Sequence, residues 1–297
     1  MGESDAISAA APGLVDKIGA WQPLTGRGIA RFAQASWGRL FLVQALFAVA
    51  TSATVLWCLH VAWIPELEKA ITTLPDTNAG VRSGQLTWPS SEARLLNSSR
   101  LLSLAVDPTS SADLGQNGDL QLEFRGHDLR FRGILGQVTV PYPVRWDLPL
   151  DRSGATALWG AWRWPVLTLL GIGLWVTFGI VTLTLGLVLT VGIAIAVWAW
   201  GWSLTPGGAW RLGVAAFLPA SLVFDAALVL YARYWMGLAS LAGAVGLSLF
   251  AGLFWTVCAL PHLPRRPVRE EVPNPFGNAV HTARTPAATK PRNPFDS

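Results

Sequence analysis

Long apolar runs and a single polar region divide this chain. The longest run, residues 164–202, contains no Asp, Glu, Lys, Arg or His over 39 residues. One straight helix of that length would extend about 58 Å, whereas the hydrocarbon core of a bilayer is about 30 Å thick. The run is too long for one crossing, so we predict two helices folded back on each other. The turn is expected at Val181–Gly186, where Thr182, Thr184 and Gly186 interrupt the pattern.

Three further apolar runs predict one membrane helix each. They are Leu40–Trp63, Ala209–Tyr231 and Met236–Leu260. Each has about the 20 residues that one crossing requires. Tryptophans cluster at both ends of the predicted hairpin, at positions 159, 162, 164, 198, 200 and 202. Because Trp favours the headgroup region, both ends of the hairpin are expected at the same outer interface.

The polar region between the first and second helices has a different period. Residues 119–124 and 129–132 alternate apolar and polar positions on either side of a short loop that contains Gly126. Period-two patterns joined in this way predict a β-hairpin with one buried face. Residues 81–88, with a turn at Ser83-Gly84, residues 101–106 and residues 138–140 add further strands. Together these segments predict a small β-rich domain.

These patterns predict a membrane all-α helical bundle of about five transmembrane helices. A small β-rich extracytoplasmic domain is inserted after the first helix. The predicted boundaries are 1–38 for a cytoplasmic N-terminal and interfacial segment, 39–64 for the first transmembrane helix, 65–158 for the β-rich domain, 159–260 for the transmembrane helical block and 261–297 for a disordered, proline-rich tail.

Composition agrees with a membrane protein. Hydrophobic residues make up 52% of the chain and charged residues 13%, against about 25% charged residues in soluble domains. The two cysteines, Cys58 and Cys258, lie in apolar segments, so no disulfide framework is expected in the polar region. Basic residues flank the apolar runs, which is typical of membrane anchoring. No nucleic-acid partner is therefore expected.

Arginines indicate the orientation of the chain. Arg27, Arg31 and Arg39 precede the first helix, which places that flank in the cytoplasm of a multi-pass protein of the cytoplasmic (inner) membrane. Residues Trp21–Gly38, which include Arg27 and Arg31, are expected to lie on the membrane surface, held by apolar side chains and lipid phosphates, with a plain connecting loop as the alternative. Five crossings would put the C-terminal tail outside. Three arginines directly after the last helix favour the inside, which requires an even number of crossings.

Asp225 is the candidate functional residue inside the membrane. An ionisable group within a span is costly to bury without a partner, so it marks a functional site by default. One hypothesis gives Asp225 a role in proton or cation handling, with Arg233 two turns away as its candidate partner. The other hypothesis is a structural hydrogen bond to a Ser, Thr or Gln on a neighbouring helix.

Small residues recur at every fourth position of the last predicted helix. They are Ser240, Ala244, Ser248 and Gly252. This spacing places them on one face, where the backbone can approach another helix closely. The partner helix is expected within the same chain, with a dimer as the alternative.

The predicted tail repeats one tripeptide. It occurs as Asn274-Pro275-Phe276 and as Asn293-Pro294-Phe295. Asn-Pro favours a turn that can present Phe to a pocket, so the repeat resembles a short linear ligand for a protein partner. Recurrence by chance in a proline-rich tail is the alternative.

The order of elements resembles a bacterial family of uncharacterised membrane proteins, typified by one from maltodextrin-utilisation operons. The similar segments are Leu74-Pro75, Val81–Leu86, Leu104–Thr109 and Val138–Tyr142. Trp210–Ala216 with Pro219 is similar to helices of that family and of the distantly related Yip-type proteins. The chain departs from the family at Asp107-Pro108-Thr109, where Asp-Thr-Thr-Gly is expected. The resemblance covers roughly residues 25 to 260 and implies architecture more than activity.

No catalytic, phosphate-binding or metal-ligating pattern occurs in the sequence, so we predict neither an enzyme nor a cofactor. The leading hypothesis is a non-enzymatic integral membrane protein. Its partners are the lipid bilayer and a protein that binds the extracytoplasmic domain or the tail, while its helices anchor or assemble a complex. The alternatives are a small transport component that uses Asp225 and a Yip-like membrane-organising protein.

Overall fold

The computed structural model describes residues 22–265 except positions 78, 112, 113 and 135. It combines a block of apolar helices with a separate β-sheet region. The helices are α1 (Gly26–Phe32), α2 (Trp37–Cys58), α3 (Ile64–Thr72), α4 (Arg152–Ala199), α5 (Pro206–Ala232) and α6 (Leu238–Ala259). A π-helical turn, Leu59–Trp63, joins α2 to α3. Four helical segments in this part of the chain are long and apolar enough to cross a membrane, one fewer than the five predicted.

Helix α4 replaces the predicted hairpin. It runs for 48 residues without interruption, from a cap at Asp151 whose carboxylate accepts hydrogen bonds from the Gly154 N–H and the Ser153 hydroxyl. These bonds hold the pKa of Asp151 below its ordinary value. The predicted turn was wrong because its residues serve packing: a Cβ at Gly186 would lie 2.4 Å from Val214 Cγ2. The two Trp clusters consequently lie at opposite ends of α4.

Helix α1 packs on the helical block, and its position at the membrane surface stays a prediction. Ile29 and Phe32 are fully buried in the core of the helical block. A Cβ at Gly26 would lie only 2.5 Å from the Cys258 carbonyl oxygen, so α1 approaches the end of α6 closely. The side chains of Ile29 and Phe32 therefore contact protein, while Leu24 and Trp37 of the same segment are exposed. Arg27 is exposed.

Helix α5 is the centre of the helical block. It contacts α2, α4 and α6, and most of its residues from Gly208 to Ala220 are buried. The other helices turn large apolar side chains outward instead. Val188 on α4 is 66% exposed and Phe250 on α6 is 69% exposed. Such an outer surface is typical of helices that contact lipid or another protein.

The polar region folds into two sheets. The strands are β1 (Gly80–Arg82), β2 (Gln85–Thr87), β3 (Arg94–Ser98), β4 (Leu102–Asp107), β5 (Leu120–Arg125), β6 (Asp128–Gly133), β7 (Gly136–Pro141) and β8 (Asp147–Pro149). The larger sheet has the order β3-β4-β5-β6-β7, antiparallel except for the β4–β5 pair. The smaller has the order β2-β1-β8. The β5–β6 hairpin and the turn at Ser83-Gly84 confirm the sequence prediction, and both turn residues have positive φ.

The larger sheet has one apolar and one polar face. Leu104, Leu122 and Phe131 lie on the apolar face, which packs against α3 and the start of α4. Because α4 begins in this packing and then continues into the helical block, it connects the two parts of the molecule rigidly. The sheet therefore stands at the end of the block where α2 ends and α6 begins.

Candidate functional site

Asp225 faces α2 from the middle of the helical block. The Thr51 hydroxyl donates a hydrogen bond of 3.2 Å to Asp225 Oδ2. Oδ1 is buried without a hydrogen-bond partner among the described residues. This is the interhelical hydrogen bond of the structural hypothesis.

Arg233 is not the partner of Asp225. Its guanidinium lies 5.8 Å from the centre of the Trp57 ring, and no ion pair joins it to Asp225 in the part of the chain that the structure describes. Arg233 follows the last residue of α5 and is exposed. Within residues 22–265, gaps aside, no group of three or more His, Cys, Asp or Glu side chains could hold a metal ion.

Gln44 adds a second polar contact between helices. Its Nε2 donates to the Gly179 carbonyl at 2.8 Å and to the Thr182 hydroxyl at 3.0 Å, joining α2 to α4. Both polar contacts start from α2: Gln44 bonds to α4, and Thr51 bonds to α5. They fix the rotation of these helices about their axes, and they bring no second acid to Asp225.

The small residues of α6 divide between two environments. Ala244 and Gly252 are buried, and a Cβ at Gly252 would lie 2.3 Å from the Phe217 ring of α5. Ser248 is half-buried and bonds to the Val245 carbonyl of its own helix. Ser240 is exposed. The small-residue face of α6 thus packs against α5 of the same chain, along the C-terminal part of α6.

The two Asn-Pro-Phe tripeptides, at 274–276 and 293–295, lie outside the described residues, as do the rest of the predicted tail after Arg265 and the chain before Gln22. Their role stays a prediction.

One edge of the larger sheet is covered. Strand β3 has a bulge between Leu95 and Asn97. The Thr73 hydroxyl of the α3 C-terminus donates to the Leu96 carbonyl at 2.9 Å, and Asn97 Nδ2 donates to Glu66 Oε2 at 2.7 Å. A bulge and a covering helix are two devices that prevent another strand from pairing at an edge.

The opposite edge is open. Strand β7 pairs with β6 on one side, without a register shift, and all six of its residues are exposed. Val138 is 63% exposed although it belongs to the apolar face of the sheet. Regular, exposed edges with apolar side chains are templates for pairing with another chain. This edge is the candidate binding site.

An apolar groove adjoins the open edge. It has a volume of about 380 Å³ and lies between the sheet and the start of α6. Phe131 and Val138 line it on the sheet side, and Leu241 and Val245 line it on the helix side. The groove therefore continues from the apolar face of the sheet onto the helical block.

A buried charge cluster lies on the polar face of the larger sheet, on strands β5 and β6. The Glu123 carboxylate is 1% exposed and lies 3.8 Å from Arg125 Nε and 3.7 Å from an Arg130 guanidinium nitrogen. Arg125 also donates to the Ser110 carbonyl of the β4–β5 connection at 2.8 Å. The Tyr142 hydroxyl donates to the Arg125 carbonyl, and burial raises the pKa of Tyr142, so the donor stays protonated. These contacts make β5 and β6 a rigid support for β7.

Residues 138–140 are predicted as a strand, but no pattern in the sequence gives them a functional role. Period-two alternation identifies β7 but cannot tell which strand ends the sheet. Strand order depends on the parallel β4–β5 pair, and that pairing leaves no local pattern in the sequence. Glu123, Arg125 and Arg130 occupy the polar positions of the predicted hairpin. The alternating pattern therefore predicts that they face solvent, and it does not predict a buried charge cluster.

Comparison with models of protein families, with curated proteins and with solved structures finds no match to this chain. The resemblance to the family from maltodextrin-utilisation operons therefore stays a prediction. The function has to be argued from the geometry of the chain alone.

Proposed function

We propose that this chain is a non-enzymatic membrane protein that crosses the bilayer four times, holds its β domain outside the cytoplasm and docks an extended segment of a partner protein on strand β7. The open, regular edge of β7 above an apolar groove carries the proposal. Strand addition would give affinity through backbone hydrogen bonds, and the groove would select apolar side chains at alternate positions.

Four crossings remove the conflict over the tail. An even count puts both ends of the chain on one side, and the close approach of α1 to the end of α6 agrees with this. The basic residues before α2 and after α6 then lie together in the cytoplasm. Trp164 and Trp198 are about 51 Å apart along α4, which matches the 40–45 Å of a whole bilayer if the helix is tilted by about 30°.

We propose that the partner is a different protein; a second copy of this chain is the alternative that the experiment below distinguishes. The Ser203 N–H bonds to the Pro264 carbonyl, so the chain leaves the described region at the end of the block opposite the β domain. Neither terminal segment can reach β7 without crossing the membrane. Because the groove extends down α6, a partner segment that leaves the bilayer beside its own span fits it best. We infer a membrane-anchored partner.

Site-specific photocrosslinking tests the proposal in the full-length protein in its native membrane. A benzophenone amino acid is placed at Thr139 on the open edge or, as a control, at Ser98 on the covered edge; both positions are exposed. We expect a crosslink to one membrane protein from Thr139 and none from Ser98. Val138→Asp, which puts a charge into the groove, should abolish the product.

Mass spectrometry of the crosslinked peptide decides what is bound. A partner segment next to a predicted span supports the proposal. Equal labelling from Thr139 and Ser98, a product made of two copies of this chain, or no product from Thr139 overturns it. A C-terminal fluorescent protein and a periplasmic reporter inserted at Ser83-Gly84 check the membrane placement independently.

A further inference from the structure

A second apolar cavity lies under the same apolar face of the larger sheet, at β4 and β5 and away from β7. Its volume is about 370 Å³, and it is enclosed by α3, the apolar face of the larger sheet and the first turns of α4. Its walls include Ile71, Trp88 and Leu104. Ligand sites in proteins commonly have volumes of about 300–1,000 Å³ and mostly apolar walls. A cavity without polar partners does not hold ordered water, so its natural occupant is apolar.

The cavity opens along α4 towards the lipid-facing part of that helix. Ala155, Leu158, Trp162 and Val166 line it from one helix face. Leu169, on the next turn, is exposed on the outside of the helical block. An apolar chain can therefore pass from the block's outer surface into the cavity without crossing a polar barrier.

The length of the cavity matches one leaflet of a bilayer. Ala155 and Val166 are 11 positions apart, or about 16 Å along the helix. One leaflet of acyl chains occupies about half of the roughly 30 Å hydrocarbon core. A single acyl chain thus fits the cavity along its long axis.

Polar groups lie beside the cavity where a lipid headgroup would come to rest. An Arg163 guanidinium nitrogen donates to Glu68 Oε1 at 2.8 Å, which joins α4 to α3. The Trp159 indole N–H points to the same carboxylate oxygen at 3.4 Å. These groups keep the α3–α4 gap at a fixed width and offer polar contacts outside the apolar walls.

We propose that this cavity binds one acyl chain of a membrane phospholipid, drawn from the outer leaflet along α4. The chain's own terminal segments cannot fill it, because both leave the structure at the opposite end of the helical block. The inference goes beyond partner docking on β7 and rests on the proposed membrane placement.

Photoactivatable phospholipids test the proposal. The full-length protein is reconstituted in vesicles that contain a phosphatidylcholine with a diazirine near the end of one acyl chain, and labelled residues are mapped by mass spectrometry. We expect labelling at Ile71, Trp88 or Leu104, which belong to the β domain and its covering helix. Labelling at Val188 on the outer face of α4 serves as the reference for membrane insertion.

A cavity-filling variant provides the matched comparison. Ala155→Phe should reduce labelling of the cavity residues at least fivefold and leave labelling of Val188 unchanged. Ala157→Phe adds the same bulk to an exposed position of α4 and should change neither. Both variants are checked for an unchanged elution volume in detergent. If Ala155→Phe does not fold, Ala155→Leu replaces it.

Three outcomes overturn the proposal. One is labelling of Val188 without labelling of any cavity residue in the wild-type protein. Another is equal cavity labelling in the wild type and in a folded Ala155 variant. The third is cavity labelling by a diazirine fatty acid but not by the phospholipid, which would assign the site to free fatty acids. Absence of labelling at Val188 would instead contradict the membrane placement itself.

Discussion

The β domain and the helical block are held together by different forces. In the β domain, Leu104 and Val106 are buried beneath the apolar face of the larger sheet, so exclusion of water drives its packing. In the helical block, Val188 and Phe250 are as apolar as the side chains of the interior, but they lie on the outer surface. In the proposed bilayer, moving an apolar side chain from lipid to the protein interior gives little hydrophobic stabilisation, so close packing and hydrogen bonds have to stabilise the block.

The contrast explains which residues are indispensable in each region. The β domain tolerates a buried charge cluster because Glu123 has two arginines beside it. The helical block contains close backbone contacts instead, such as Gly186 against Val214. Charge should therefore dominate the substitution effects in the β domain, and added volume should dominate those in the helices.

The largest effect is expected at Glu123. Glu123→Ala leaves Arg125 and Arg130 close together without the carboxylate, and breaking a buried ion pair costs about 3–5 kcal/mol. Native-state hydrogen exchange of the β5 and β6 amides should report a loss of about 3 kcal/mol. Glu92→Ala, at an exposed loop position, is the control and should change the exchange free energy by less than about 0.5 kcal/mol. An equal effect of the two substitutions would contradict the role of the cluster.

A smaller effect is expected from added volume in the helical block. Gly186→Leu would place side-chain atoms where Val214 lies, and overpacking costs about 1–3 kcal/mol. Gly192→Leu is the control on the same helix, because a Cβ there meets nothing within 4 Å. Thermal unfolding in detergent should show a lower midpoint for Gly186→Leu only. Equal midpoints would mean that α4 and α5 are not closely packed.

The sequence predicts the parts of this fold better than their arrangement. The β5–β6 hairpin, the Ser83-Gly84 turn and three of the apolar helices follow from local patterns, because each pattern reports on neighbouring residues. The continuity of α4 does not follow, since Thr182 and Gly186 break a helix in one context and pack in another. The prediction of five crossings came from the lengths of the apolar runs. It conflicted with the arginines after α6, and that conflict was the signal against the hairpin.

The candidate site is harder to predict than the fold. Asp225 stands out in the sequence as a lone acid, but its partner Thr51 is 174 positions away and has no distinguishing pattern. The open edge of β7 is a property of strand order, and the cavity between α3 and α4 is a property of helix placement. Neither has a motif, because both depend on contacts between elements distant in sequence.

The smallest effect is expected at the Thr51–Asp225 hydrogen bond. Contacts of this kind between membrane helices average about 0.6 kcal/mol and reach about 1.7 kcal/mol, because the unfolded chain in the membrane also finds partners. A double-mutant cycle with Thr51→Val and Asp225→Asn should give a coupling free energy within that range. The free energies of unfolding are measured in lipid bicelles, so that the solvent of the helices is retained. A coupling energy near zero would contradict a structural role for Asp225 and favour the hypothesis that it handles protons or cations. Substrate uptake by vesicles that contain the wild type or Asp225→Asn would then test that hypothesis. Coupling in the expected range would mean that the helical block uses the Asp225 carboxylate to orient α5 against α2, as the β domain uses Glu123 to fix β5 against β6.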